Sequence, residues 1–346
     1  MEQRVTKLWY RDTAGPSFLQ PLSWLYAAVV WARRKAYSWG LRATYRVDRP
    51  VVVVGNLTVG GTGKTPLVTW LARRLAEAGM KVGIVSRGYG SGGAQDTPRQ
   101  VTEESNWQEV GDEPLLLYRA TGCATVVGRD RVAAARVLVE QGVDVIVADD
   151  GLQHLRLARD CEIVVIDGGR GFGNRRLLPA GPLRESVSRL AAADVLVING
   201  LPEHSSLRRV GVPVEARAML MTLMPGEAVR LDGGADPRPL HDFRGRPVHA
   251  VAGIGNPERF FQDLSVRGLS LIEHPFADHH PFAPYDLAFD DDLPVLMTQK
   301  DAVKCLAFAD SRMWAVPTAA TFSEAQAHDL LGQVLRKIGP LTNPGG

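Results

Sequence analysis

Hydrophobic positions in this chain come in short unbroken runs, and the stretches between them carry helical spacing. The run at 51–54 is VVVV, with no polar alternation, which suits a strand buried on both faces. It ends at Gly55. A glycine-rich turn follows, then Lys64, Thr65 and LVTWLARRLA, whose apolar residues recur as on one helix face. The alternation continues with a strand in KVGIVSRG (81–88), leaving through the turn SRGYG, and a polar, irregular stretch at 91–110. GDEPLLLYRA reads as a helix start, with acids at its positive end and proline in the first turn. ATVVGRD and DRVAAARVLVEQG form a further strand and helix, and strands are expected in VDVIVADDGLQH (143–154), CEIVVIDGG (161–169) and ADVLVING (193–200). Such alternation predicts an α/β fold with a mostly parallel sheet.

Residues 203–245 break the rhythm with scattered Arg, Pro and Gly, and with apolar runs such as MLMTLM, which places a domain boundary near 225. RPVHAVAGIGNPERFF then opens a smaller α/β unit as strand, glycine turn and helix. DLPVLMTQKDAVK (292–304) and RMWAVPT (312–318) add strands, and a helix at 323–338 closes it. The expected division is 1–45, 46–225 and 226–346.

The N-terminal part differs from both units. Residues 21–32 are free of charge, too short a run for a bilayer span of ~20 residues. Trp9, Trp24, Trp31 and Trp39 accompany it, and Arg33, Arg34, Lys35, Arg42 and Arg46 follow. Aromatic residues beside a basic cluster suit an interfacial helix on anionic lipid. A helix packed on the domain core, with its arginines solvated, is the other reading.

Composition narrows the class without naming it. The chain has 346 residues, 45% hydrophobic and 23% charged, with a net charge of +2, which disfavours a general polyanion binder. Cys123, Cys161 and Cys305 lie far apart without metal-ligand spacing, as in a reducing compartment.

The stretch GNLTVGGTGKT carries the strongest chemistry. In a strand–glycine loop–Lys–Thr–helix, backbone N–H groups approach a phosphate chain, Lys64 reaches the β/γ-phosphates and the Thr65 hydroxyl can ligate Mg²⁺. The match to G-x4-G-K-[ST] is a variant, because Thr58 stands where the first glycine is usual. A second signal is Asp149-Asp150 at the end of VDVIVA, the sheet edge where nucleotide-loop enzymes hold Mg²⁺. An Asp-Asp-Gly turn would also produce that pair. Arg175, Arg176 and Arg184 lie in a loop rich in glycine and proline (171–185), either as phosphate contacts or as solvated residues. His279 and His280 are adjacent and are expected to point in different directions.

Taken in order, GNLTVGGTGKTP, SRGYG, GDEP, ADDGLQH, LPAGPLRE, AGIGNPERFF, DHHPF and TQKDAVK make the chain resemble the tetraacyldisaccharide 4'-kinase family. The resemblance runs from the aromatic N-terminal segment to near residue 320. It implies a P-loop NTPase-like domain, a smaller C-terminal α/β domain and an N-terminal membrane-surface helix, at the cytosolic face of the bacterial inner membrane. It implies ATP and Mg²⁺ as cofactors and a tetraacyldisaccharide 1-phosphate as lipid substrate, with no nucleic acid and no obligate protein partner. By motif, Thr58, Val59, Gly60, Gly61, Thr62, Gly63, Lys64 and Thr65 would bind the nucleotide. Asp112 and His279 would form a catalytic pair, and Thr65, Glu113, Asp149, Asp150 and Gln153 would surround the metal. Which member of the pair takes the hydroxyl proton stays open. Two other classes compete. A membrane-bound switch ATPase would carry a lysine before the double glycine, where this chain has Val59. A GTPase would carry N-K-x-D, and TQKD (298–301) has the wrong order.

Overall fold

The computed structural model describes residues 9–10, 17–88, 97–209, 214–234 and 236–339. Residues 89–96, which include the end of the SRGYG turn, lie outside that set. The elements run α1 (Gln20–Ser38), β1 (Val51–Gly55), α2 (Lys64–Glu77), β2 (Val82–Ser86), β3 (Arg99–Val101) and α3 (Trp107–Val110). They continue with α4 (Asp112–Thr121), β4 (Ala124–Val127), α5 (Arg131–Glu140), β5 (Val145–Asp149), β6 (Cys161–Asp167) and β7 (Val195–Asn199). Next come α6 (Val214–Arg217), β8 (Ala218–Pro225), β9 (Val229–Arg230), β10 (Pro247–Ala252), α7 (Pro257–Val266) and β11 (Ser270–Pro275). β12 (Val295–Thr298), α8 (Gln299–Cys305), β13 (Met313–Val316), β14 (Thr318–Thr321) and α9 (Glu324–Ile338) complete the chain.

Among the described residues the larger sheet has the order β14-β8-β7-β6-β1-β5-β2-β4-β3. Its interior pairs are parallel, and only the edge strands β3 and β14 run antiparallel. β1 lies between β5 and β6, and its valines alternate between two cores. Val51 and Val53 join Leu57, Leu138, Leu152 and Phe172 on one face; Val52 and Val54 join Leu67, Leu71 and Leu75 of α2 on the other. Helices on both faces are what an all-apolar strand requires. The smaller sheet, β11-β10-β12-β13-β9, is parallel apart from β9.

The chain crosses between the sheets twice. β8 leaves the larger sheet at Pro225, and β14 returns to pair with it from Thr318, joined where Gly226 N–H donates to Pro317 O at 2.8 Å. Leu330 and Val334 of α9 then pack in the core that holds α2. The segment expected as one unit over 226–346 is therefore shared: 229–316 builds the smaller sheet, and 318–338 covers the larger one. A run of small and apolar residues such as TAAT does not announce which sheet edge it completes.

α1 lies against the larger domain through polar groups. Ser23 Oγ donates to Leu177 O (2.8 Å), Tyr26 Oη to Arg184 O (3.1 Å), and Arg34 Nη1 pairs with Glu185 Oε2 at 2.6 Å. Leu22, Leu25 and Val29 on the helix, and Phe18 in the turn before it, are exposed. No helix among the described residues is long and apolar enough to cross a membrane.

Candidate functional site

The loop between β1 and α2 is held from three sides. Within it, Asn56 is buried and its Nδ2 donates to Thr58 O at 2.8 Å. On one flank Val59 N–H donates to Pro182 O (2.9 Å) and Arg184 N–H to Leu57 O (2.7 Å), so the LPAGPLRE segment braces the loop. On the other, Arg170 bonds both Asp167 and the carbonyl of Gly61. Gly60 and Gly63 have φ of 92° and 91°, and a Cβ on Gly63 would sit 2.6 Å from Asn199 Nδ2. Glycine is required there on both counts. Among the described residues α2 has no side-chain cap at its N-terminus, and the buried Thr62 Oγ1 has no partner. The first N–H groups of the helix, with its positive dipole end, are thus available to an anion. Lys64, the first residue of α2, has Nζ 3.3 Å from Asn56 Oδ1 and 3.6 Å from Asp150 Oδ1. Thr65 follows it, partly buried.

β5 and the residue after it bring two carboxylates to the same edge in different surroundings. Asp149 is buried; Oδ2 accepts from Ser86 Oγ at 3.4 Å and Oδ1 has no hydrogen-bond partner among the described residues. Burial, reinforced by the charges of Glu113 and Asp150, pushes its carboxyl up to about 7, against Lys64 and Arg131. Asp150, at φ 46°, is also opposed by burial, yet Lys64 and Arg184 outweigh that and hold it down at about 2. Arg184 Nη1 reaches it at 2.9 Å, whereas Arg175 is exposed. Gln153 Nε2 donates to Asn56 O (3.2 Å) and Glu185 Oε1 (3.1 Å), and Glu113 Oε1 accepts from Lys300 at 3.1 Å. Among the described residues no three His, Cys, Asp or Glu side chains form a metal cage. A site of one or two carboxylates completed by phosphate oxygens and water is how Mg²⁺ is usually held, and the orphaned Oδ1 of Asp149 fits that use.

Across the gap, the smaller domain brings a histidine to the start of α4. Gly111 takes φ 92°, and Asp112 opens the helix almost fully buried. Oδ1 accepts from the Glu113 N–H at 2.8 Å and Oδ2 lies 3.0 Å from His279 Nδ1. Burial opposes ionisation of Asp112, but the His279 hydrogen bond with Lys300 and Lys304 wins and lowers its carboxyl below the usual range. Burial likewise opposes the imidazolium of His279, and the bond to Asp112 reverses this, raising it. An ionised Asp112 only accepts, so Nδ1 carries the proton and Nε2 is the basic nitrogen. His279 adopts φ 60°, a left-handed conformation that is uncommon outside Gly but which Asn, Asp and His visit more than other residues. His280 points elsewhere: Nε2 lies 3.0 Å from Asp286 Oδ2 and its ring packs on Phe276 and Phe282.

Lys300 completes this cluster, and no site role for it follows from the sequence alone. Its Nζ lies 3.1 Å from Glu113, 3.2 Å from Asp278 and 3.4 Å from His279 Nε2, and these carboxylates raise it despite burial. A lysine opening a helix normally reads as solvated; its presence within the TQKDAVK motif was the available signal. α8 reaches the site because Val303 packs with Val110, Leu115 and Leu116 of the larger domain.

The comparisons with known proteins agree with one another. A family model described as LpxK, tetraacyldisaccharide-1-P 4'-kinase, matches residues 16–336. The tetraacyldisaccharide 4'-kinase of Nitrosococcus oceani is 48% identical over 338 residues, covering 96% of either chain. That of Alkalilimnicola ehrlichii is 49% identical over 326 residues, covering 94% of either chain. Among solved structures, LpxK from Aquifex aeolicus in complex with ATP superposes with a TM-score of 0.75 at 27% identity, covering 93% of this chain and 99% of its own. A likeness that spans nearly the whole chain places the protein in the tetraacyldisaccharide 4'-kinase family.

Proposed function

We propose that Asp112 and His279 together accept the proton of the sugar 4'-hydroxyl while residues 58–65 hold the phosphates of ATP. The protein is an ATP-dependent lipid kinase of lipid A biosynthesis, and it phosphorylates the 4'-position of a tetraacyldisaccharide 1-phosphate. The observation that carries the residue assignment is the 3.0 Å bond from His279 Nδ1 to Asp112 Oδ2, which joins the two domains beside the nucleotide loop. A sugar hydroxyl is a poor nucleophile near neutral pH, so His279 Nε2, the unprotonated nitrogen, takes its proton as the new O–P bond forms. The bond from the γ-phosphorus to its bridging oxygen breaks, and ADP leaves. Asp112 fixes the tautomer and stabilises the imidazolium that results.

Loop N–H groups of residues 60–65 and the Lys64 ammonium cradle the phosphate chain, where charge accumulates in the transition state. Asp149, Asp150 and Glu113, with the Thr65 hydroxyl and Gln153, are the groups assigned to Mg²⁺, which when bound neutralises charge on the β- and γ-phosphates. Asp149 is the member with an oxygen to spare, and Asp150 also keeps Lys64 and Arg184 in place. The exposed apolar side of α1 rests on the cytosolic face of the inner membrane, where the lipid acceptor resides.

The direct test incubates the protein with γ-labelled ATP, Mg²⁺ and the tetraacylated disaccharide 1-phosphate and follows label into a bisphosphorylated lipid. Lys64→Ala is expected to abolish transfer in a folded protein. Near-normal turnover in that variant would remove residues 58–65 from the phosphate site.

A further inference from the structure

Asn199 closes β7 beside the nucleotide loop, and both ends of its amide are engaged in a buried position, with 2% of the residue exposed. Nδ2 donates to the carbonyl of Thr62 at 3.1 Å, and Oδ1 accepts from Arg259 Nη2 at 3.3 Å. A guanidinium only donates and a carbonyl only accepts, so this pair of partners fixes which way the amide faces. An aspartate here would present a second acceptor to Thr62. The contact is close: Asn199 Nδ2 fills the space a Cβ on Gly63 would need.

Arg259 belongs to α7 of the smaller domain, and the turn before α7 lies on the loop as well. A Cβ on Gly255 would come within 3.2 Å of Gly61 N and 3.3 Å of Asp278 Oδ2, beside His279. One short segment thus touches the nucleotide loop, the residue next to His279, and Asn199. The Thr62–Gly63 peptide is planar, so anchoring its oxygen on Asn199 turns the Gly63 N–H to the opposite side.

We propose that Asn199 and Arg259 are positioning residues for the nucleotide loop: Asn199 holds the Thr62 carbonyl so that the Gly63 N–H faces the phosphates, and Arg259 ties that arrangement to the smaller domain. The proposal rests on reading residues 58–65 as the ATP-phosphate loop. Loop geometry and domain position then change together, so ATP meets a formed cradle only when α7 is seated.

Three variants of the full-length protein separate the contacts. Asn199→Asp keeps an acceptor for Arg259 but replaces the donor to Thr62 with a carboxylate oxygen and adds a negative charge; Arg259→Met removes only the contact to Asn199; Asn199→Ala removes both contacts without adding charge. Loss of a buried hydrogen bond at the loop is expected to weaken ATP binding about tenfold in the uncharged Asn199→Ala, and at least as much in Asn199→Asp. This is read as KM for ATP and by titration with a fluorescent ATP analogue, with KM for the lipid within about twofold of its starting value on the same scale. Arg259→Met is expected to weaken ATP binding by a smaller factor in the natural background and not at all in Asn199→Ala, because members of one unit are not additive. Unchanged ATP binding in Asn199→Asp, or the same Arg259→Met factor in both backgrounds, overturns the relay. Circular dichroism melts verify folding, and if the Asn199 variants do not fold, Arg259→Met alone decides: a loss in lipid KM with ATP binding intact refutes it. Lys64→Ala serves as the control that distinguishes the two failures. If it transfers phosphate normally, the loop assignment is wrong; if it is inactive while Asn199→Asp binds ATP normally, only the relay is.

Discussion

His279 gains and loses basicity through named neighbours, and this makes the pH dependence of turnover predictable in sign. The Asp112 hydrogen bond raises its pKa against burial and against Lys300. A base works when unprotonated, so kcat should rise with pH through a midpoint above the ordinary histidine value of ~6.5. Asp112→Asn removes the negative charge that holds the proton, so the acidic limb should move to lower pH while the plateau falls. A limb that stays put would show that Asp112 does not face the titrating group. The same bond sets a stability window. Asp112 is lowered, so its contribution is present above the unfolded carboxylate value of ~4 and fades as pH falls through its lower native value. His279 is raised, so its contribution is complete below ~6.5 and fades as pH rises through its native value. The cysteines give a further check at this scale. Cys123, Cys161 and Cys305 are buried and free, and burial pushes Cys161 and Cys305 up to about 12. Folded protein should resist alkylation at pH 8, and denatured protein should take up label at all three. Rapid labelling of Cys161 or Cys305 without denaturant would contradict their packing.

At the scale of elements, α1 and the α4–α8 contact answer to different experiments. Leu22, Leu25 and Val29 are 55–63% exposed and share one helix face, while Ser23, Tyr26 and Arg34 dock the helix to the larger domain. Replacing the three apolar residues by Ser should release the protein from anionic vesicles in a sedimentation assay and leave its melting temperature almost unchanged. Continued pelleting would move membrane contact elsewhere. Leu115→Ala acts in the opposite direction: it opens a cavity where α4 meets α8 and should cost about 2–5 kcal/mol of stability in a denaturant titration. The strands that carry the site were legible because their signals are local. The valines of β1, the glycines after it and the Asp149-Asp150 end of β5 can be read from neighbours in sequence. β3, β8, β9, β11 and β14 carry no strand expectation from the sequence, the MLMTLM of β8 being read only as an apolar run that breaks the rhythm. β3, β9 and β14 are only two to four residues long, and β11 is largely exposed, so neither alternation nor an apolar run marks them. Lys300 escaped for a related reason. Its burial is created by the packing of α8 on α4, which no periodicity records.

At the scale of the whole molecule, the proposed catalytic pair draws one residue from each domain. Asp112 opens a helix of the larger domain, His279 sits in a loop of the smaller one, and 167 positions separate them in sequence. Lys300 and Arg259 reach across the same gap to Glu113 and Asn199. The motifs GDEP and DHHPF were visible as sequence; their meeting was implied only by the family resemblance, because spacing along a chain says nothing about which loop faces which helix. If Asp112 and His279 act as one unit in proton removal, each single alanine substitution should reduce kcat severely. Asp112→Ala combined with His279→Ala should then cost little more than the worse single change, as members of a catalytic unit are not additive. ATP affinity should survive in both single variants if, as proposed, the loop and Lys64 hold the phosphates. Losses that multiply strictly would assign the two residues independent roles. A defect confined to ATP binding in Asp112→Ala would move Asp112 into the metal shell beside Glu113, where the Lys300 contact already concentrates charge. A double variant as slow as the slower single one, with unaltered ATP affinity, would leave proton transfer at the domain boundary as the step both residues share.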